Sequence, residues 1–103
     1  MNNDKEKKIL DNITLILNPF QQVDIKYKLP RLDEGELEVE TSVKIKTIKR
    51  YLIKKLNLKE EIENIEIFYK CNHILEDSQT ISCVMKKYNT ISNSMYFYYK
   101  RKC

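Results

Sequence analysis

Between Glu36 and Tyr69 the spacing of apolar residues changes twice. Leu37 and Val39 alternate with Glu36, Glu38 and Glu40, the period of a half-buried strand that is acidic on its wet side. From Ile45 the period becomes helical. Ile45, Ile48, Leu52 and Leu56 make a narrow apolar stripe along one helix, expected to start near Lys44 and end near Asn57. Lys46, Arg50 and Lys54, spaced by four, line the opposite side and should be solvated. Ile65, Ile67 and Tyr69 then restore the period of two, with Glu66 and Phe68 on the other face. Such a chain folds as strands that share one helix.

The flanks extend this order. Residues 13–17 read as a first strand, ended by Asn18 and Pro19. A long connection follows, with a short extended piece expected at 24–29 and a turn at Asp33, Glu34 and Gly35. After Tyr69 come a short extended piece at 73–75 and a polar turn, Glu76-Asp77-Ser78. Ile81, Val84 and Met85 then suggest one short helix or 3₁₀ segment between Thr80 and Lys87. Residues 89–94 are a polar loop, 95–99 an aromatic last strand and 100–103 a basic end. Lys44 is a poor N-cap, although Thr41 and Ser42 lie just upstream. Residues 1–9 are expected to be a disordered charged head, and 10–103 one domain.

Residue counts narrow the chemistry. The 103 residues support one domain, and the 42% hydrophobic content is too high for a disordered tail. No apolar run approaches the ~18 residues of a membrane span, and the N-terminus is not that of a secretory signal, so no membrane association is expected. One glycine, Gly35, excludes a glycine-rich phosphate loop. One histidine and three cysteines cannot complete a two-zinc RING or a Cys2His2 finger. Cys71 and His73 alone make no metal site, and Cys71 and Cys83 are expected to pack as small hydrophobes in a reducing compartment. Neither has an evident base partner, and the carboxylate pairs Glu60-Glu61 and Glu76-Asp77 fall in polar turns expected to be solvated. No enzyme activity and no cofactor are expected. Net charge is +4, with lysine far commoner than arginine and acids interleaved, so direct nucleic-acid binding is not expected either.

The order β, β, α, β, short β, short helix, β is that of the ubiquitin-like β-grasp. The expected class is α+β, a mixed four- to five-stranded sheet packed on one main helix, with the last strand beside the first. Residues 43–58, VKIKTIKRYLIKKLNL, resemble the helix of the RAWUL domain of Polycomb group RING finger proteins, V-T-I-x-H-L-K-K-F-L-x-x-K-L-x-L. The likeness continues through residues 65–77, through Thr80 to Val84 (the family's T-L-x-x-I) and through residues 95–100 (its closing L-x-L-x-Y-R). Residues 13–17 are similar to its first strand. The chain departs from the pattern at Tyr88, where the family usually has Trp, at Ser94, where it has Pro, and at Thr47, where it has His. The family's RING has no counterpart in this sequence.

The resemblance implies a protein-interaction module that recruits partners to a chromatin-repressive complex in the nucleus. Polyhomeotic-like or corepressor segments would bind, partly by adding strands to the sheet, and a RING-type ligase subunit would supply histone ubiquitin transfer. Another ubiquitin-like interaction domain is the alternative, and a small basic nucleic-acid binder a more distant one. A conjugated modifier would need a Gly-Gly tail, and Arg101-Lys102-Cys103 does not provide one. Alternation turns Ile13, Leu15, Leu17, Leu37, Val39, Ile65, Ile67, Tyr69, Met95, Phe97 and Tyr99 towards the helix. Ile16, Phe68, Tyr96 and Tyr98 then fall on the open face, as a patch suited to a partner unless the 18–35 connection folds over it. Leu37 and Val39 join the expected partner-binding set, on a plausible edge strand whose glutamates either deter aggregation or meet a basic partner.

Overall fold

The computed structural model describes residues 11–70, 73–90 and 92–102. The head expected at 1–9 lies outside these, as do Cys71 and Cys103. Among the described residues five strands form one sheet: β1 (Asn12–Pro19), β2 (Glu36–Glu40), β3 (Ile65–Tyr69), β4 (His73–Ile74) and β5 (Ser94–Arg101). Two helices, α1 (Ile45–Lys55) and α2 (Ile81–Lys87), accompany it. The strand order is β2-β1-β5-β3-β4. Only β1 and β5 run parallel; every other pair is antiparallel.

One core occupies the space between sheet and helices. The eleven side chains assigned to the helix side by alternation all pack there, with Leu37 and Val39 only half-buried because β2 is an edge. The α1 stripe fits against them: Ile45, Ile48 and Leu52 are buried and Leu56 partly so. Ile81, Val84 and Met85 of α2 are fully buried, which confirms the short helix.

Helix ends show how this glycine-poor chain is capped. Lys44 offers α1 no side-chain cap. The amides of Ile45 and Lys46 instead donate to the carbonyls of Gln79 and Asp77, at 2.8 and 3.2 Å. The turn before α2 therefore satisfies donors that a Ser or Asp cap would otherwise take. Lys49, 7% exposed, holds the same turn through an ion pair to Asp77 at 2.5 Å. Asp77, expected as a solvated turn residue, keeps 41% of its side chain exposed and is at the same time the structural partner of Lys49. For α2, Thr80 caps directly, its hydroxyl accepting from the Cys83 amide at 3.1 Å. Both helices end on an asparagine in the left-handed region, Asn57 and Asn89, each with φ 55°. The next amides, of Leu58 and Thr90, then reach back to Ile53 and Met85, the Schellman closure usually built on glycine.

Two boundaries differ from expectation. β1 runs on through Pro19, which pairs with Tyr99 at the strand's last position. Proline is tolerated there because β2 no longer faces that part of β1 and no donor is required. The extended piece expected at 24–29 is a 3₁₀ turn at Ile25–Tyr27, closed by Tyr27 N–H to the Asp24 carbonyl at 2.9 Å. These local bonds, with Lys28 N–H to the Ile25 carbonyl at 3.2 Å, decide its shape. Gly35 returns the connection to β2. A Cβ there would sit 3.0 Å from the Leu17 carbonyl, too close for comfort beside the 2.7 Å bond from Leu17 N–H to Gly35.

Candidate interaction face

The sheet face away from the helices divides into two ends. Register puts Glu36, Ile16 and Tyr96 in one row across β2, β1 and β5. The next row holds Asn18, Tyr98, Phe68 and Ile74 across β1, β5, β3 and β4. Beyond it Lys100 and Glu66 face each other. Ile16, Phe68, Tyr96 and Tyr98 therefore share the face that alternation assigned to them.

They are not equally accessible. Tyr96 is 52% exposed and Ile74 55%, with Ile16 and Tyr98 half-buried. Phe68 is only 7% exposed. Its ring carries that of Phe20 at 5.3 Å between centroids and 7° between planes. The Lys100 ammonium lies over the same ring at 5.6 Å and over Tyr27 at 6.0 Å. Phe68 is thus a covered residue and not part of an exposed patch: the connection after β1 folds over this end, as hydrophobic burial of two aromatic rings favours. Leu37 and Val39 also stand apart from the patch, because they turn towards the core and leave the glutamates of β2 on the open side.

Lys100 departs furthest from the expected basic tail. It is 5% exposed, with its ammonium 2.9 Å from Glu66 and donating to the Arg101 carbonyl at 3.0 Å. Buried charge is tolerated because carboxylate, carbonyl and two ring faces replace water. Arg101 pins the connection from the other side, pairing with Glu60 and donating to the Lys28 carbonyl at 2.7 Å. Glu60, read in the sequence as solvated, is partly buried by that pairing. The Tyr99 hydroxyl donates to the Pro30 carbonyl at 2.7 Å, and burial holds this phenol above its ordinary pKa.

Between the two ends lies a shallow depression of about 410 Å³, lined by Pro19, Phe20, Gln21, Gln22, Lys70 and Tyr98. Sequence reasoning missed Ile74, Phe20 and Tyr27. Ile74 becomes visible only through its register opposite Phe68, and the two rings only once the connection is seen to cross the sheet. His73 is exposed beside the Tyr88 ring, 4.8 Å between centroids. Cys83 is exposed and not a packed hydrophobe, since it sits on the outer side of α2. The Thr80 hydroxyl bonded to it holds its thiol below the usual value. No group of three or more potential metal ligands occurs among the described residues.

No protein-family model matches the sequence, and no curated protein matches it. Solved structures do. The crystal structure of Trypanosoma brucei ATG8 aligns over 90% of this chain and 75% of its own, with TM-score 0.70 and 17% identity. The chain has the ubiquitin-like β-grasp fold. Within that fold the connection over one end of the sheet is long enough to carry its own aromatic contacts, while β2 remains an outer strand with an unpaired edge. Among the described residues one end of its open sheet face is covered and the other leaves Tyr96 exposed. The surface it offers is the row of Ile16 and Tyr96 with Tyr98 and Ile74 beside it.

Proposed function

We propose that this chain is a non-enzymatic, RAWUL-like interaction domain that holds a segment of a partner protein on the bare end of its sheet. The observation that carries the reading is the exposure of Tyr96, 52%, in one row with Ile16 and two strands in from the outer strand β2. Aromatic residues are costly to leave in water and are enriched at interface centres. An extended partner segment could add to β2 through main-chain hydrogen bonds while its continuation crosses the open face over Ile16 to Tyr96. Exposed Glu36, Glu38 and Glu40 favour a basic segment there and oppose edge-to-edge aggregation.

The resemblance to Polycomb group RING finger proteins supports a nuclear setting. Polyhomeotic-like or corepressor segments are the partners it suggests, with a RING-type ligase subunit in the same chromatin complex. The test is capture from nuclear extract by the wild type and by Tyr96→Ser/Tyr98→Ser, with captured proteins identified by mass spectrometry. Polycomb-type partners held by the wild type and lost by a folded variant support the proposal. Ubiquitin-pathway partners lost in the same way would replace the Polycomb setting with the broader ubiquitin-like one. Equal capture by both proteins sinks the open-face site.

A further inference from the structure

Charge is distributed unevenly across the two layers. Helix α1 carries Lys46, Lys49, Arg50, Lys54 and Lys55 and no acidic residue. Lys49 is buried against Asp77, whereas Arg50 and Lys54 are exposed and Lys46 partly so. These three occupy the helix side opposite the buried stripe of Ile45, Ile48 and Leu52. On the far side of the molecule, Glu36, Glu38 and Glu40 are exposed on the open face of β2. Neither row has an ion-pair partner among the described residues, whose three ion pairs involve Lys49, Lys100 and Arg101.

The two rows match in pitch as well as sign. Cations four apart on a helix repeat every ~6 Å. Carboxylates two apart on a strand repeat every ~6.8 Å. Each row holds three charges. We propose that the helix face of one copy docks on the open β2 side of a second copy, Lys46, Arg50 and Lys54 facing Glu36, Glu38 and Glu40. Tyr96, two strands in from β2, receives the aliphatic stems and a cation from the same helix.

Other occupants fit less of the surface. A two-fold pairing of β2 with β2 sets glutamates beside glutamates, which repels. A polyanion such as nucleic acid would use only the basic row. Because the two surfaces lie on opposite sides of the chain, the contact is head-to-tail and propagates into open arrays. It is salt-labile, since the Debye length falls from about 8 Å at physiological salt to about 3 Å at 1 M. The contact does not require the partner segment proposed above, although the two would compete for Tyr96.

Sedimentation velocity over a concentration series tests this with wild type and two neutral variants, Glu36→Gln/Glu38→Gln/Glu40→Gln and Lys46→Gln/Arg50→Gln/Lys54→Gln. In low salt the wild type should form a concentration-dependent series of oligomers that collapses to monomer in 1 M salt. Each variant alone should stay monomeric, and an equimolar mixture should stop at a dimer, because it restores one contact and no second. Both variants leave Tyr96 intact, so their failure is separable from failure of the partner site. A monomeric wild type at low salt overturns the proposal, as does oligomerisation that survives both sets of substitutions. A wild type that stays monomeric but retards a DNA duplex through Lys46, Arg50 and Lys54 also overturns it, in favour of a polyanion.

Discussion

The two ends of the open sheet face are built from the same kind of residue and differ in what covers them. At one end Phe68 and Lys100 are covered, by Phe20 stacked on the first and Tyr27 beside the second. At the other end Ile16 and Tyr96 occupy equivalent positions on the same face, and none of the described residues covers Tyr96, which is 52% exposed. The difference comes from where the chain travels after β1. Phe20 N–H is tied to the Tyr99 carbonyl at 2.8 Å, Arg101 holds the Lys28 carbonyl and Tyr99 holds that of Pro30, so the connection is fixed over the β5 C-terminal end. An aromatic ring on an open face is therefore not by itself a binding residue; the path of the neighbouring loop decides.

Substitutions should separate the two ends. Phe68→Ala removes a covered ring and the surface on which Phe20 rests, and should cost about 3 kcal/mol by thermal or urea unfolding. A cost under about 0.5 kcal/mol would mean the covered end is no more structural than ordinary surface. Lys100→Met keeps the stem and leaves the Glu66 carboxylate, 17% exposed, without its ammonium, a loss of about 2 kcal/mol. Adding Glu66→Leu should regain most of that, because no charge is then left unpaired. If the double variant is no better than the single, the packing of the stem and not the ion pair explains Lys100.

Tyr99→Phe strips the bond that anchors Pro30 and should cost about 1 kcal/mol. It also carries a pH signature. With the phenol pKa raised in the fold by burial, the unfolded chain loses this proton first as pH climbs. Stability from this residue is then complete below about pH 10 and falls above it. Urea unfolding at rising alkaline pH should show a steeper decline in the wild type than in Tyr99→Phe. Parallel curves would mean the hydroxyl is not held as described. Tyr96→Ser, at the bare end, should change stability by under about 0.5 kcal/mol.

How much of this could be read from the chain depended on whether neighbours in sequence or neighbours in space set each residue's surroundings. β1, β2, β3, β5 and both helices follow from periodicity, because one buried face imposes a period of two or 3.6 whatever it packs against. The sharing of one face by Ile16, Phe68, Tyr96 and Tyr98 follows for the same reason. Coverage does not. Phe20 sits 48 positions from Phe68, and Lys100 looked like a solvated tail because its partners, Glu66 and Tyr27, are far away in sequence. Lys49 and Asp77 were hidden in the same way, one on a cationic helix and the other in an acidic turn. Boundaries failed where a local bond competed with a strand: Ile25–Tyr27 turned on its own 3₁₀ bonds, Tyr27 N–H to the Asp24 carbonyl and Lys28 N–H to that of Ile25.

The proposed division of the open face into a structural end and a contact end is tested most directly by capture of proteins from nuclear extract with Tyr96→Ser, done at a temperature where its unfolding curve overlays that of the wild type. Loss of the captured protein with stability unchanged is the predicted result. Undiminished capture by Tyr96→Ser would contradict the division and place the contact elsewhere on the domain.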